Sequence, residues 1–248
     1  MRIFGLIGHP LEHSFSETYF NKKFEKEKLE CQYLNFDLED LTEWPQLLNY
    51  YPELCGVNVT APYKESIIPF LDEYDKSIEE IKAVNTVKIN KYHKFIGYNT
   101  DVLGFETLIY KLNIYNNSNI KQALILGTGG ASKAVQWVLK KLGIPFKVVS
   151  RDPSRGDFTY DSMTSETLSN HLLIINATPV GLYPNIDVAP ELPYEALTKN
   201  HCLIDLNYNP EETFFLRFGR ERGASTANGL TMLYAQAEAS WHIWNSKF

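Results

Sequence analysis

Short apolar runs alternate with amphipathic stretches along the first hundred residues. The run "RIFGLIG" ends at glycine and proline, and Phe20 and Phe24 follow it four residues apart, which predicts a strand and then a helix. The alternation continues through "CQYLNFDL", "LTEWPQLL", "LCGVNVT" and "SIIPFLDEY". It predicts parallel strands joined by crossover helices, followed by an edge hairpin made by "NTVKI" and "FIGYN".

A second alternation begins near Asp101. Val102, Phe105, Ile109 and Leu112 share one helical face, and the asparagine-rich "NIYNNSNIK" after them indicates a surface break. Short buried strands are then predicted at "QALILG", "FKVVS", "LLIINAT" and "CLIDLNY". We therefore expect an α/β protein with a domain boundary near residue 100 and a cleft between its two α/β units.

A glycine-rich turn opens the second unit. In "LILGTGGAS", Gly127 and Gly129 come directly after an apolar strand and before a helical pattern, with Ser132 at the third position of the fingerprint. Glycines there permit a tight turn and let a phosphate approach the backbone N–H groups at the positive end of a helix. This context predicts a Rossmann dinucleotide site; the alternative is a turn that only packs a helix on a strand.

Composition narrows the range of partners. The 248 residues are 44% hydrophobic and 22% charged with a formal net charge of −6, which is typical of a soluble globular protein and offers no basic field for nucleic acid. Three widely spaced cysteines predict neither a disulfide framework nor a zinc site. Because no run is long enough to span a membrane and no cleavable leader is evident, we expect a cytoplasmic protein.

Polar side chains collect where the predicted strands end. In "VNVT", alternation puts Val57 and Val59 on one face of the strand and Asn58 and Thr60 on the other. Other polar groups stand at comparable places: Ser14, Ser16, Lys64, Asn85, Asn99 and Asp101. Each has a structural alternative, such as a capping box of Ser14 with Glu17 or an N-cap at Asp101. Together these groups fit a small polyhydroxylated acid.

The order and spacing of these motifs resemble the shikimate dehydrogenase family. The similarity covers nearly the whole chain through "HSFS", "GVNVTAPYKE", "AVNT", "GYNTDVLGF", "LGTGGAS", "NATPVGL", "DLNYNPEET" and "NGLTMLYAQA". The resemblance implies a substrate domain at 1–100, an NADP-binding Rossmann domain at 101–228, and a last helix, 229–248, that packs back on the first domain. The family usually has a proline and a histidine where this chain has Glu17 and Phe20.

The resemblance also implies roles for individual residues. Lys64 would transfer a proton and Asp101 would orient the substrate hydroxyl. Substrate-binding roles fall on Ser14, Ser16, Asn58, Thr60, Asn85, Tyr208 and Gln236. Cofactor-binding roles fall on Gly127, Thr128, Gly129, Gly130, Ala131, Ser150, Arg151, Arg155, Thr178 and Gly229. No metal is expected.

The implied activity is the reversible, NADPH-dependent reduction of 3-dehydroshikimate to shikimate in chorismate and aromatic amino-acid biosynthesis, by a monomer or homodimer. Arg151 after the second strand favours NADP, whereas Asp152 beside it would suit the ribose of NAD if its carboxylate turned inward. The alternatives are a quinate/shikimate dehydrogenase that uses NAD and a ligand sensor without turnover. A sensor would not require both Lys64 and Asp101.

Overall fold

The chain forms two α/β units in a computed structural model that describes residues 1–11 and 14–246. Contacts group residues 1–100 with the segment from Gln236 onward, and group Asp101–Ala235 as the second unit. The first unit therefore consists of two stretches that are far apart in the sequence. The predicted α/β fold class, with a parallel sheet in the second unit, is confirmed.

The first unit is built on a mixed six-stranded sheet in the order β2-β1-β3-β5-β6-β4. Its elements are β1 (Arg2–Gly8), α1 (Phe15–Lys26), β2 (Cys31–Asp37), α2 (Leu47–Tyr50), β3 (Leu54–Val59), β4 (Glu73–Tyr74), α3 (Ile78–Ile81), β5 (Thr86–Ile89) and β6 (Phe95–Tyr98). Strands β1, β2 and β3 are parallel, while β5 runs antiparallel to β3 and to β6. The predicted hairpin exists, but β4 pairs outside β6, so the hairpin lies one strand in from the edge.

Two prolines shorten the helices that the alternation predicts in this unit. The segment "LTEWPQLL" forms a 3₁₀-helix, Leu41–Gln46, before the four-residue α2, and "SIIPFLDEY" forms only the 3₁₀-helix Ile68–Phe70 and then β4. Pro45 and Pro69 each lack the N–H that an α-helix needs. The connection from β3 to β5 is therefore not a regular parallel crossover, and β5 returns antiparallel.

Both faces of this sheet are buried. On β1, Phe4 and Leu6 join a cluster with Phe20 and Trp244, whereas Ile3 and Ile7 join the opposite cluster with Val57 and Trp44. Strand alternation explains the division, because successive side chains point to opposite faces. The aromatic cluster is the side covered by α1 and by the last helix.

The last helix, α8 (Leu230–Asn245), is fixed to β5 by buried hydrogen bonds. The indole Nε1 of Trp244 donates to the carbonyl oxygen of Val87 at 3.1 Å. Close approach requires Gly56 on the neighbouring strand, since a Cβ there would lie 2.3 Å from Trp244 Nε1. One residue along β5, the buried Lys88 ammonium donates to the carbonyl oxygen of Ser246 at 2.7 Å, and burial lowers the pKa of Lys88.

The second unit has a wholly parallel five-stranded sheet in the order β11-β10-β9-β7-β8. Its elements are α4 (Asp101–Lys111), β7 (Ala123–Leu126), α5 (Gly130–Lys141), β8 (Phe146–Val149), α6 (Ser165–Asn170), β9 (Leu173–Asn176), β10 (Cys202–Asp205), α7 (Phe214–Glu221) and β11 (Ser225–Ala227). Three of the four predicted strands, β7, β9 and β10, are buried throughout. Among the described residues, no helix is long and apolar enough to cross a bilayer.

Gly56→Ala should destabilise the protein by about 1–3 kcal/mol, because the new methyl group would overlap Trp244 and the carbonyl oxygen of Val87. Urea unfolding measures the loss. In the Gly56→Ala/Trp244→Ala double variant the total loss should be smaller than the sum of the two single losses, since the indole that meets the methyl is gone. Strict additivity would exclude this contact as the cause.

Candidate functional site

Asn58 lies at the centre of a buried hydrogen-bond network in the first unit. Its side chain is 5% exposed, and its Oδ1 accepts a hydrogen bond from the Tyr33 hydroxyl at 2.8 Å. Its Nδ2 lies 3.2 Å from the Asn85 carbonyl oxygen, 3.2 Å from Thr86 Oγ1 and 2.9 Å from Ser240 Oγ. Both ends of the Asn58 amide are therefore paired within the protein.

Asn85 is part of the same network. Its Oδ1 accepts from the Thr100 backbone N–H at 2.7 Å, and its Nδ2 donates to Thr100 Oγ1 at 3.0 Å. Asn85 is thus a buried bridging residue, which distinguishes it from an ordinary turn asparagine. Asp101 follows Thr100 in the chain and lies in the first turn of α4, where the helix dipole favours a carboxylate.

Thr60 and Lys64 are held at the carboxyl ends of the parallel strands. The Thr60 N–H donates to the Ile7 carbonyl oxygen at 2.9 Å, and the Lys64 carbonyl oxygen accepts from the Val84 N–H at 2.7 Å. Since Val84 precedes Asn85, the main chain at Lys64 lies next to that asparagine. The edge at which open α/β sheets bind ligands therefore carries Thr60, Lys64 and Asn85 together.

The two serines at the start of α1 have different partners. Ser14 is the N-cap, and its hydroxyl accepts from the Glu17 N–H at 3.0 Å. The Glu17 carboxylate accepts from Asn35 Nδ2 at 2.7 Å. Ser16 hydrogen-bonds the Tyr33 hydroxyl, whose pKa is raised well above its usual value by burial. Ser16 is therefore joined to Asn58 through a neutral tyrosine.

The glycine turn of the second unit has the geometry of a phosphate-binding loop. Gly127 has a φ of +103°, and a Cβ there would lie 2.8 Å from Thr178 Cγ2. Gly129 has nothing within 4 Å of an added Cβ, so the loop is open at that point, just before α5 begins with Gly130 and Ala131. The loop fits a dinucleotide, because backbone N–H groups at a helix N-terminus bind phosphate.

A turn after β8 holds Asp152 through Ser154. The Asp152 Oδ1 accepts from the Ser154 N–H at 2.9 Å and from its hydroxyl at 2.7 Å, and these bonds lower the pKa of Asp152. The Asp152 N–H donates to Ser150 Oγ at 3.1 Å. Arg155 Nη2 donates to the Thr128 carbonyl oxygen at 3.3 Å, so this guanidinium lies beside the glycine turn. Arg151 is exposed directly after Ser150.

Asp205 anchors the strand ends next to Thr178. Its carboxylate accepts from Thr213 Oγ1 at 2.6 Å and, at 3.0 Å each, from the Asn207 N–H and Asn176 Nδ2. Burial raises the pKa of Asp205 to about 6, although these hydrogen bonds favour the charged form. Asn176 in turn accepts from the Thr178 hydroxyl at 2.6 Å.

Gly229 and Tyr208 lie near the same strand end. The Gly229 N–H donates to the Asn207 carbonyl oxygen at 3.0 Å, and a Cβ on Gly229 would lie only 2.0 Å from the Leu206 carbonyl oxygen. Only glycine permits this approach. Tyr208 is half-buried, and burial raises its pKa.

The structure adds residues that the sequence analysis did not single out. In the first unit these are Tyr33, Thr86, Thr100 and Ser240, and in the second Asn176, Asp205, Asn207 and Ser154. The repeated Asn-Thr pairs in "AVNT" and "GYNT" are a sequence signal for two of these residues, Thr86 and Thr100. Within residues 1–11 and 14–246, no group of three or more His, Cys, Asp or Glu side chains is placed to hold a metal ion.

Asp205→Asn should change how stability depends on pH. Because folding raises the pKa of Asp205 from 3.8 to about 6, the folded parent binds the extra proton at low pH and loses that stabilisation as the pH rises through about 6. Relative to the parent, the free energy of unfolding of Asp205→Asn should therefore rise by up to about 3 kcal/mol between about pH 4 and 7. Urea unfolding across pH measures the difference, with exposed Asp187→Asn as the control; a pH-independent difference would contradict the assignment.

Comparison with known proteins identifies the family. Residues 6–87 match the model of the shikimate dehydrogenase substrate binding domain. The shikimate dehydrogenase (NADP(+)) of Methanococcus maripaludis is 37% identical over 267 residues, which cover 99% of this chain and 92% of that protein.

Solved structures agree. Shikimate 5-dehydrogenase of Thermus thermophilus, in complex with NADP(H) and shikimate, superposes with a TM-score of 0.84 at 32% identity, covering 99% of this chain and 94% of that one. Quinate dehydrogenase of Corynebacterium glutamicum, in complex with NAD, has a TM-score of 0.87 at 26% identity, covering 98% and 93%. Because near-full-length relatives exceed 30% identity, the resemblance in the motifs is confirmed, and this chain belongs to the shikimate dehydrogenase family.

Proposed function

We propose that this protein is an NADP-dependent oxidoreductase that reversibly reduces 3-dehydroshikimate to shikimate, and so serves chorismate and aromatic amino-acid biosynthesis. The observation that carries the proposal is the placement of Thr60, Lys64 and Asn85 at one end of the first sheet, in a chain that also has a phosphate-binding glycine turn. Hydroxyl, amide and amine groups at one edge suit a small hydroxylated acid.

Each substrate group has a proposed partner. Ser14 and Ser16 bind the carboxylate, although the hydroxyl of Ser14 also caps α1. Groups around the ring oxygens are Asn58, Thr60, Asn85, Tyr208 and Gln236. Of these, Asn58 has protein partners at both ends of its amide, so any direct contact with substrate would be made in competition with them.

Lys64 and Asp101 are proposed to carry the proton chemistry. Bound NADPH supplies the hydride. Reduction of the ketone leaves negative charge on its oxygen, and the Lys64 ammonium stabilises that charge and gives the oxygen a proton; in the oxidation direction the lysine amine accepts the proton. The Asp101 carboxylate orients the substrate hydroxyl and the amine.

The cofactor site is assigned to the glycine turn and the arginines after β8. Gly127, Thr128, Gly129, Gly130 and Ala131 form the turn and the first residues of α5. Thr178 lies against the turn, Ser150 follows β8, the strand paired with β7, and Gly229 lies against the Leu206 carbonyl oxygen after β10. Arg151, assisted by Arg155, binds the 2′-phosphate, because guanidinium groups hold phosphate bidentately.

Location and assembly complete the proposal. We propose a cytoplasmic enzyme, which the acidic net charge and three free cysteines support. It is proposed to act as a monomer or homodimer without nucleic-acid partners, and sedimentation equilibrium would distinguish the two assemblies. The activity itself is tested by following NADPH absorbance with 3-dehydroshikimate. Faster turnover of quinate with NAD would favour the alternative quinate dehydrogenase.

Lys64→Ala should lower kcat by at least about 100-fold while raising KM for shikimate only modestly, because the proton is needed only as charge develops. Asp101→Asn keeps the size of the side chain but removes its charge, and should also lower kcat. Steady-state kinetics of both variants, with exposed Lys76→Ala as the control, provide the measurement. If kcat held and only KM rose, Lys64 would be a binding residue.

Arg151→Ala should lower kcat/KM for NADP by about 10- to 100-fold, the effect of losing a charged hydrogen bond, and leave NAD use within about twofold. Asp152→Ala should change the preference little, since Ser154 already holds that carboxylate. Exposed Arg222→Ala serves as the control. A parent that prefers NAD, or an Arg151 variant impaired equally with both cofactors, would overturn the assignment.

A further inference from the structure

Ser240 is the point at which the last helix meets three separate parts of the first unit. Its side chain is fully buried. Its Oγ accepts from Asn58 Nδ2 at 2.9 Å and lies 2.8 Å from Thr86 Oγ1 and 3.2 Å from Thr100 Oγ1. Asn58 belongs to β3, Thr86 to β5, and Thr100 to the segment that precedes α4. One hydroxyl therefore links the helix to two strands and a loop.

The same hydroxyl is tied to the helical turn that carries Gln236. Ser240 Oγ donates to the Gln236 carbonyl oxygen at 3.0 Å. With its only proton used there, Ser240 Oγ accepts from Asn58 Nδ2, and the hydroxyl oxygens of Thr86 and Thr100 lie within hydrogen-bond distance of it. The position of the Gln236 turn is thus set relative to Asn58 and Thr100.

We propose that Ser240 is a positioning residue of the substrate site: through its buried hydroxyl it sets the position of Gln236 relative to Asn58 and Asn85. The inference rests on the proposed function. Because Ser240 is fully buried, it acts through the side chains that it orders. Asn85 is included because Thr100 holds its amide by two hydrogen bonds.

Two other contacts hold the last helix, but they do not replace the hydrogen bonds of Ser240. Trp244 and the Lys88–Ser246 contact hold the following turn and the end of α8. The partners in these two contacts, Val87 and Ser246, are not members of the predicted substrate set. Ser240 is bonded to Asn58 directly and to the Gln236 main chain, so its loss disturbs substrate contacts that the other anchors leave in place.

The test compares Ser240→Ala with the parent. Removing the hydroxyl takes one acceptor from Asn58 Nδ2 and breaks the contacts with the Thr86 and Thr100 hydroxyls. KM for shikimate should therefore rise about 5- to 10-fold, as expected for one lost buried hydrogen bond. KM for NADP should stay within about twofold. An unchanged KM for shikimate, with only a lower Tm, would overturn the proposal.

Trp244→Phe is the matched control. It removes a hydrogen bond that anchors the same helix, from Trp244 Nε1 to the Val87 carbonyl oxygen, and it keeps an aromatic ring beside Tyr33 and the hydrogen bonds of Ser240. We expect a lower Tm and a KM for shikimate within about twofold of the parent. An equal rise in KM for shikimate in both variants would show that substrate binding depends on the position of the whole helix and that the Ser240 hydroxyl has no particular role.

A double-mutant cycle separates positioning from general destabilisation. Gln236→Ala keeps the carbonyl oxygen that Ser240 bonds, so in that background Ser240→Ala should raise KM for shikimate by a smaller factor than in the parent, because only the effect through Asn58 remains. A full additional rise would mean that Ser240 does not act through Gln236. Calorimetric Kd values for shikimate are measured in parallel. A parent that binds shikimate without turnover would refute only the proposed function, whereas absence of both binding and turnover would refute both proposals.

Discussion

The fixed position of α8 against strand β5 is the constraint on which the packing of the first unit depends. Consecutive residues of β5 bond this helix through a hydroxyl at Thr86 and a carbonyl oxygen at Val87, and the ammonium of Lys88 bonds Ser246 directly after the helix. Buried polar groups are costly when unpaired, so these bonds allow one register of the helix and penalise any slip along the strand. The aromatic core packs tightly under the helix only in that register, which Gly56 makes sterically possible.

Much of the fold is predictable because the spacing of apolar residues agrees with the positions of glycine and proline along most of the chain. Strands β7, β9 and β10 of the second unit are predicted from short apolar runs, and their complete burial explains why these runs show no alternation of apolar and polar residues. Two segments differ from the predicted elements for local reasons. Pro69 limits "SIIPFLDEY" to a short 3₁₀-helix in place of an α-helix, and β11, Ser225–Ala227, is too short and too polar to be recognised as a strand.

The sequence predicts which residue types make up the candidate site, but it does not predict which of them hydrogen-bond to one another. Alternation put Asn58 on a polar face, yet its partners Tyr33 and Ser240 are distant in sequence and belong to a different strand and helix. The turn that directs the Asp152 carboxylate to Ser154 is easier to predict, because an aspartate side chain commonly accepts a hydrogen bond from the backbone N–H two residues later in the chain. Long-range hydrogen bonds depend on the assembled sheet, which no local pattern encodes.

The division of the first unit into two sequence segments has a consequence for the growing chain. The aromatic side of its sheet, including Phe4, Phe20 and Phe24, is covered partly by Trp241 and Trp244 of α8. Because synthesis runs from the N-terminus, the ribosome must make the whole second unit before that cover exists. During this interval the nascent first unit presents an apolar surface of the kind that chaperones bind, and its maturation waits for the last helix to emerge.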